Sequence, residues 1–189
     1  PLDPALAAAM RRFHRIVDEQ ARVLEESDAR FVCPVPCARC CTPNLFFITG
    51  LDFLALCEHV NRSLAREEIE GVVMRSRQLV AECGIEEALR LDTGQADAEP
   101  RVVQACPLLD GAERCLAYPA RPTPCRFFGR SRFAAGQANL CTILADRLAE
   151  DLGRIAMPVV EDYSRALASY LARELGDRLD DIAPYAGVS

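Results

Sequence analysis

Apolar residues recur every three or four positions at the start of the chain, from Leu6 through Met10 and Phe13 to Leu24. This spacing places them on one side of a helix and predicts an amphipathic helix over residues 4–26. The first helix is therefore expected to pack one face against a core.

Two further helices are predicted before the middle of the sequence. In "TGLD", Thr49 can cap the first of them, and Asp52 stands where the acid of a capping box lies. The second is predicted over residues 63–83, with a short continuing turn over 85–91. The residues expected to face inward on these helices are Phe53, Leu56, Cys57, Val60, Ile69, Val72, Val73, Leu79 and Val80.

The second half of the sequence alternates between turns and helices. Residues 92–100 form a polar, turn-rich loop, and Asp110-Gly111 indicates a short β-hairpin. Three prolines over 119–124 predict an irregular stretch. A helix is expected from Thr142 to Leu152 and a last one from Pro158 to about residue 176.

Together these elements predict a mainly α fold. We expect residues 1–189 to form a single helical domain with a cysteine-rich irregular insert that contains the short β-hairpin. The insert covers the motif region 33–141, and helices over 4–26 and 142–176 flank it.

Composition narrows the functional classes. The chain has 189 residues, half of them apolar, and a net charge of −6. An acidic chain without a basic run is a poor nucleic-acid binder, and the apolar stretch 45–56 is too short to span a bilayer. No signal peptide opens the sequence at Pro1, although a targeting segment removed before Pro1 would leave no trace. We expect a cytoplasmic protein with neither nucleic-acid nor membrane partners.

Cysteines carry the main chemical signal. Eight of the ten lie in loops or strand ends, as two groups of four: Cys33, Cys37, Cys40 and Cys41, then Cys106, Cys115, Cys125 and Cys141. Disulfides suit small secreted scaffolds without a core, so this spacing favours metal thiolates. Adjacent side chains in an extended segment point apart. Cys40 and Cys41 therefore favour two or more ions, or a polynuclear cluster, over one isolated ion.

The remaining candidate residues have simpler explanations. Cys57 and Cys83 occupy helical positions where cysteine acts as a small buried apolar residue. His14 and His59 are each alone on a helix, and a surface or capping role is expected for both. Asp110 is explained by its turn.

Arginines surround the cysteines. The segment 101–132 contains six arginines against two acidic residues, and Arg39 lies inside the first cysteine group. Arginines near thiols lower their pKa values and offset the negative charge of a metal thiolate site. Arg39, Arg121 and Arg126 could alternatively bind an anionic substrate or be solvated, and the sequence leaves these alternatives open.

Three motifs carry a resemblance to a known family. "CARCC", "CPLL" and "CLAYPARPTPCRFF" resemble the bacterial YkgJ-like cysteine-cluster family of zinc- or iron-chelating domains over residues 33–141. Three residues separate Cys33 from Cys37, where the family pattern has two. The resemblance implies a zinc or iron cofactor, with an iron–sulfur cluster among the options, and adds Tyr118 to the residues that support the site or bind an anion. The family is related to flagellin lysine-N-methylase, which implies that some members modify proteins.

Three functions follow from these observations. The first is a protein that holds zinc or iron, as two or more ions or an iron–sulfur centre, through about eight thiolates. The second is an iron- or iron–sulfur-dependent enzyme, methyltransferase-like, that modifies a protein or peptide substrate. The third is a zinc-stapled protein-interaction module. The sequence identifies metal ions as partners but no catalytic residue, and it leaves catalysis open.

Overall fold

The computed structural model describes residues 2–35, 37–42, 46, 48–83, 105–132, 136, 138–160 and 163–176. Its helices are α1 (Pro4–Ser27), α2 (Gly50–Ser63), α3 (Arg66–Cys83), α4 (Thr123–Phe127), α5 (Thr142–Leu148) and α6 (Tyr163–Leu175). Short 3-10 helices cover Ala29–Phe31 and Tyr118–Ala120, and strands β1 (Ser131–Arg132) and β2 (Ala138–Asn139) pair antiparallel. The predicted mainly helical class with a small hairpin is confirmed. The expected turn over 85–91 and loop over 92–100 lie outside the described residues.

Helix α1 begins where the sequence predicts and extends one residue beyond the expected end. Asp3 caps it, because its carboxylate accepts the backbone N–H groups of Ala5 and Leu6 at 2.9 and 3.1 Å. One face of α1 packs against α6 and α4. The core formed there consists of Leu6, Ala9, Met10, Phe13, Val17, Leu51, Phe127, Val160, Leu167 and Leu171. None of these residues is a cysteine, so this core does not depend on the candidate metal ligands.

A second core lies beside the cysteine segments. Its buried members are Leu24, Phe31, Cys141, Leu144, Leu148 and Met157, with Cys40 and Phe128 packed against them. Gly129 lets the chain after α4 approach α5 closely. Its φ is +82°, and a Cβ atom there would lie 2.7 Å from Leu144 Cδ1. Glycine is therefore required at this position both for its backbone conformation and for space.

The hairpin lies elsewhere than the sequence predicted. Asp110-Gly111 does form a turn, in which the Asp110 carboxylate accepts the N–H groups of Ala112 and Arg114 at 2.8 and 2.9 Å. The flanking residues pair only through an isolated bridge between Leu109 and Cys115. The antiparallel strands are instead β1 and β2. The turn at Asp110-Gly111 forms as predicted, but its flanking residues do not extend into paired strands.

The prolines also act differently from the prediction of an irregular stretch. Pro119 and Pro124 lie in the first turns of the helices Tyr118–Ala120 and Thr123–Phe127. Proline fits there because its φ is already helical and the first-turn N–H groups have no helical acceptor. The stretch is therefore largely helical.

Several predicted helix boundaries are wrong. The third predicted helix begins at Arg66 instead of residue 63, and α5 ends at Leu148 instead of 152. The last helix begins at Tyr163 instead of Pro158. Residues 158–160 are drawn into pairing with β1, because Arg132 N–H donates to Pro158 O at 3.0 Å and Val160 N–H donates to Arg132 O at 2.9 Å.

The inward face predicted for α2 and α3 is only partly confirmed. Leu56, Cys57, Val60, Ile69, Val72 and Leu79 are half-buried, whereas Phe53, Val73 and Val80 are exposed. No α3 side chain that the structure describes is fully buried. The first core is built mainly by α1 and α6, and the second takes its α-helical residues from α1 and α5. No described helix has the length and apolar character that a bilayer span requires.

A buried polar network joins α1, α2 and α4. Asp52, fully buried, accepts a hydrogen bond from the Thr49 hydroxyl and two from Thr123, through its N–H and its hydroxyl, each at 2.9 Å. His14 Nε2 lies 3.2 Å from the Thr123 hydroxyl and 3.6 Å from Asp52 Oδ1. The capping role of Thr49 is confirmed, but the surface or helix-capping role expected for His14 is wrong. Burial alone raises the pKa of Asp52, yet its hydrogen bonds outweigh burial and hold that pKa below its ordinary value.

Replacing Asp52 by alanine should therefore lower the free energy of unfolding by about 3–5 kcal/mol, since it strands several buried donors. Urea unfolding measures the loss. Because the folded pKa of Asp52 is depressed, the gap from wild type should narrow as the pH falls below about 4. Asp110→Ala is the matched control: it removes a half-buried carboxylate whose hydrogen bonds stay within its own turn, and it should cost about 1 kcal/mol or less. Equal losses from both variants would contradict the role of the network.

Candidate metal centre

The first cysteine group lies on an irregular segment that leaves the second core. Phe31 is fully buried immediately before it. Arg147 of α5 donates to the carbonyl oxygens of Arg30 and Val32 at 3.3 and 2.7 Å, which fixes the entry to Cys33. These contacts orient the segment before its first thiol.

A tight turn brings the adjacent thiols of this group together. The Cys41 N–H donates to Ala38 O at 2.9 Å, and the sulfur atoms of Cys40 and Cys41 lie 3.7 Å apart. The hydrogen bond between the two thiols, with help from Arg121 and Arg130 against the effect of burial, lowers the pKa of Cys40 to about 7. The same bond raises the pKa of Cys41. The two thiols therefore titrate together as a pair.

The second group meets the first through the backbone. The Cys106 N–H donates to Cys41 O at 2.9 Å, so the two groups touch although sixty-four residues separate them in the sequence. Cys115 ends the turn that follows, Cys125 lies within α4, and Cys141 is the residue before α5, where it is buried. Two helices and a turn therefore present this group.

Electrostatic effects show which thiols are neighbours. Burial raises the pKa of Cys33, Cys106, Cys115 and Cys125, the last to about 12, and a charge on Cys40 raises each of them further. Cys106, Cys115 and Cys125 also act on one another.

Cys33 interacts with Cys37 and Cys141, and Cys41 interacts with Cys106 and Cys125. Cys40 interacts with thiols of both groups. The structure thus brings all eight predicted cysteines into one region. Cys57 on α2 is different: burial alone raises its pKa, and none of the eight thiols contributes to that shift.

The thiols share a region without forming a closed coordination sphere. Among the described residues, no three cysteine, histidine, aspartate or glutamate side chains are close enough to enclose an ion. The residues nevertheless fit a thiolate-bound zinc or iron ion in their donor chemistry, since sulfur ligands suit both metals. A second point of fit is Arg121, whose buried Nε has no hydrogen-bond partner.

The four supporting residues expected from the sequence have distinct positions. Arg39 is exposed. The Arg121 guanidinium stacks 3.8 Å from the centre of the Tyr118 ring. Arg126 is only 4% exposed, and its nitrogens bond the carbonyl oxygens of Pro119 and Arg121 and the carboxylate of Asp18. Arg126 therefore supports the backbone between two cysteines.

Sequence reasoning missed Arg130 as a partner of the thiols. It pairs with Glu25 of α1, and its Nη2 lies 3.9 Å from Cys33 Sγ. Arg130 was visible as one arginine of a basic segment, but no spacing rule links it to a cysteine 97 residues away. Its contact could be found only from the folded chain.

A mainly helical scaffold that gathers eight thiols and several arginines in one region defines a class, that of cysteine-rich metal-chelating domains. A family model named CxxCxxCC, described as "Putative zinc- or iron-chelating domain", matches residues 32–144. The match covers more than half of the chain, and the chain belongs to this family. The expected resemblance and the zinc or iron cofactor are thereby confirmed. Neither the curated proteins nor the solved structures give a significant match.

Metal removal should loosen the cysteine segments before the helical core. Hydrogen exchange after chelation should show early loss of protection in peptides that contain Cys33–Cys41 and Cys106–Cys125, because clustered thiols are not held together without a metal. Peptides from α1 and α6 are the internal control, since their shared core contains no cysteine. Simultaneous loosening of α1 and α6 would contradict this expectation.

Proposed function

We propose that the chain is a metal-binding protein that holds two zinc or iron ions in two adjoining sets of four thiolates. The first set is Cys33, Cys37, Cys40 and Cys141, and the second is Cys41, Cys106, Cys115 and Cys125. The observation that carries the proposal is the pair Cys40–Cys41, which stands where the two sets meet. Their sulfurs lie 3.7 Å apart in a turn, so two ions bound by these two thiolates would be direct neighbours, and the bond from Cys106 N–H ties Cys41 to the second group.

The interactions between thiols support this division for seven of the eight; Cys40 acts on members of both sets and completes the first. Cys33 is influenced by Cys37, Cys141 and Cys40, and Cys41 by Cys106 and Cys125. The hydrogen bond from Cys106 N–H to Cys41 O supports placing Cys41 with the second set. Each proposed set then contains four sulfurs, the usual number for structural zinc or a tetrahedral iron site.

The charge of eight clustered thiolates supports a metal ion in each set. Two divalent ions with eight thiolates carry a charge of about −4. Burial raises the pKa of the thiols, and three arginines act to lower it. They are Arg130 at Cys33, Arg75 at Cys106, and Arg121 at Cys115 and Cys125. Bound metal supplies the larger compensation, because only deprotonated thiols ligate it.

Two further properties of the chain, its domain organisation and its cellular setting, follow from the same metal site. We propose one domain, in which the α1–α6 core carries the cysteine segments, and a cytoplasmic setting, where thiols stay reduced for metal. Among the residues that the structure describes, the eight candidate ligands are not joined by disulfides, which fits a reducing setting.

Protein purified anaerobically should contain about two zinc or iron ions per chain, as measured by elemental analysis, because closed thiolate sites retain metal tightly. Cys33→Ser and Cys125→Ser should each retain about one ion, since serine replaces a thiolate poorly in one set only. A colourless sample indicates zinc, and a brown one with visible absorption indicates an iron–sulfur centre.

Cys57→Ser is the matched control and should keep both ions. Less than about half an ion per chain in fresh, reduced wild type would refute metal binding. Loss of both ions from each single ligand variant would instead refute the division into two sets and indicate one cluster.

A further inference from the structure

Arg121 contains a buried hydrogen-bond donor that the described protein does not use. Its Nε is inaccessible to solvent and has no acceptor, although the side chain as a whole is 17% exposed. An unpaired buried donor costs free energy and in native structures is paired with a water molecule or a bound group. Arg132 Nε shares this feature, so the position of Arg121 between two cysteines carries the argument. We therefore expect the acceptor of the Arg121 Nε–H to be a group that binds next to this side chain.

Two contacts hold the Arg121 guanidinium in place. The Tyr118 ring lies under it, with 3.8 Å between Cζ and the ring centre, and Nη2 lies 3.4 Å from the Asp18 carboxylate. Stacking and ion pairing fix the plane of the group, so the Nε–H cannot simply turn towards water.

The backbone places this fixed group between two candidate ligands. Tyr118 N–H donates to Cys115 O at 3.1 Å, and the 3-10 helix Tyr118–Ala120 leads directly to Arg121. Four residues later α4 carries Cys125. The charge of Arg121 acts on the thiols of Cys40, Cys115 and Cys125. The unused donor thus lies on a segment that begins and ends with candidate ligands, and its charge reaches three thiols.

We propose that the Arg121 Nε–H donates a hydrogen bond to a metal-bound thiolate of the second set, Cys115 or Cys125, and so makes Arg121 a positioning residue for that ion. The inference rests on the proposed function, because the acceptor it names is a metal-bound thiolate. A hydrogen bond withdraws electron density from the sulfur and offsets the excess negative charge of a four-thiolate site. Arg126 does not fill this role, since its nitrogens already bond carbonyl oxygens and Asp18.

The test uses cobalt(II) as the probe, loaded in place of the native metal into wild type, Arg121→Lys and Arg121→Met. Both variants should shift the sulfur-to-cobalt charge-transfer band of one ion to lower energy, because the thiolate that lost its donor becomes more electron-rich. Competition with a chromophoric chelator should show that one of the two zinc ions is bound about tenfold or more weakly, the usual cost of losing a hydrogen bond to a metal ligand. Lysine keeps the charge but not the Nε–H, so recovery of the wild-type band in Arg121→Lys would overturn the hydrogen bond.

Arg132→Lys is the matched control. Its Nε is likewise buried and unpaired, while its Nη2 bonds the carbonyl oxygens of Leu152 and Ile155. This variant should leave the band and both affinities unchanged. An equal shift in Arg132→Lys would mean that the change is structural and would overturn the inference.

A measurement on wild type avoids the variants altogether. In protein loaded with a spin-active cadmium isotope and labelled arginine, the Arg121 Nε–H should exchange slowly with solvent and couple to the metal through sulfur. Fast exchange without coupling would overturn the inference. Failure of wild type to bind cobalt, zinc or cadmium would instead refute the proposed function. Binding of two ions with an unshifted band in Arg121→Met would refute the role of Arg121 alone.

Discussion

Repulsion between thiolates gathered in one region is the constraint on which the arrangement of this chain depends. Burial and the neighbouring charge of Cys40 both raise the pKa of the surrounding thiols, so the region needs positive charge to hold ionised sulfur. Arg121 and Arg130 supply part of it. Their own partners, Asp18 and Glu25, both lie on α1. The same helix therefore packs its apolar face into the core and positions the arginines with its polar face.

The chain from Cys115 to Phe128 acts as one supporting unit. Its prolines begin short helices, and the buried Arg126 bonds the carbonyl oxygens of Pro119 and Arg121 from within. Asp52 holds the first turn of α4 from the other side, through Thr123. Local rigidity of this kind lets a loop present thiols in a defined direction without a large sheet or a long helix around them.

Local signals account for what could be predicted from the sequence. The α1 periodicity and the Thr49 cap depend on residues close together in the chain, and the structure has both. The two cysteine groups are visible in the sequence by their spacing, but their meeting depends on contacts between distant residues. Contacts between distant residues could not be predicted. His14 meets Thr123 across 109 residues, and Arg130 meets Cys33 across 97. The pairing of Arg132 with Pro158 and Val160 likewise overrides a helix start that looked favourable locally.

Asp18 lies at a half-exposed helical position but has a structural role that its exposure does not suggest. Its carboxylate is 44% exposed, yet it is the shared acceptor of Arg121 and Arg126. In a survey of variants, a substitution at such a half-exposed helical acid would normally be classed as neutral. Here it removes the shared carboxylate from two guanidinium groups, which among the described residues keep only the carbonyl acceptors of Arg126 and the Tyr118 stack of Arg121. Tolerance to mutation in this protein is therefore set by which partner a residue serves, and exposure or distance along the chain is a poor guide to it.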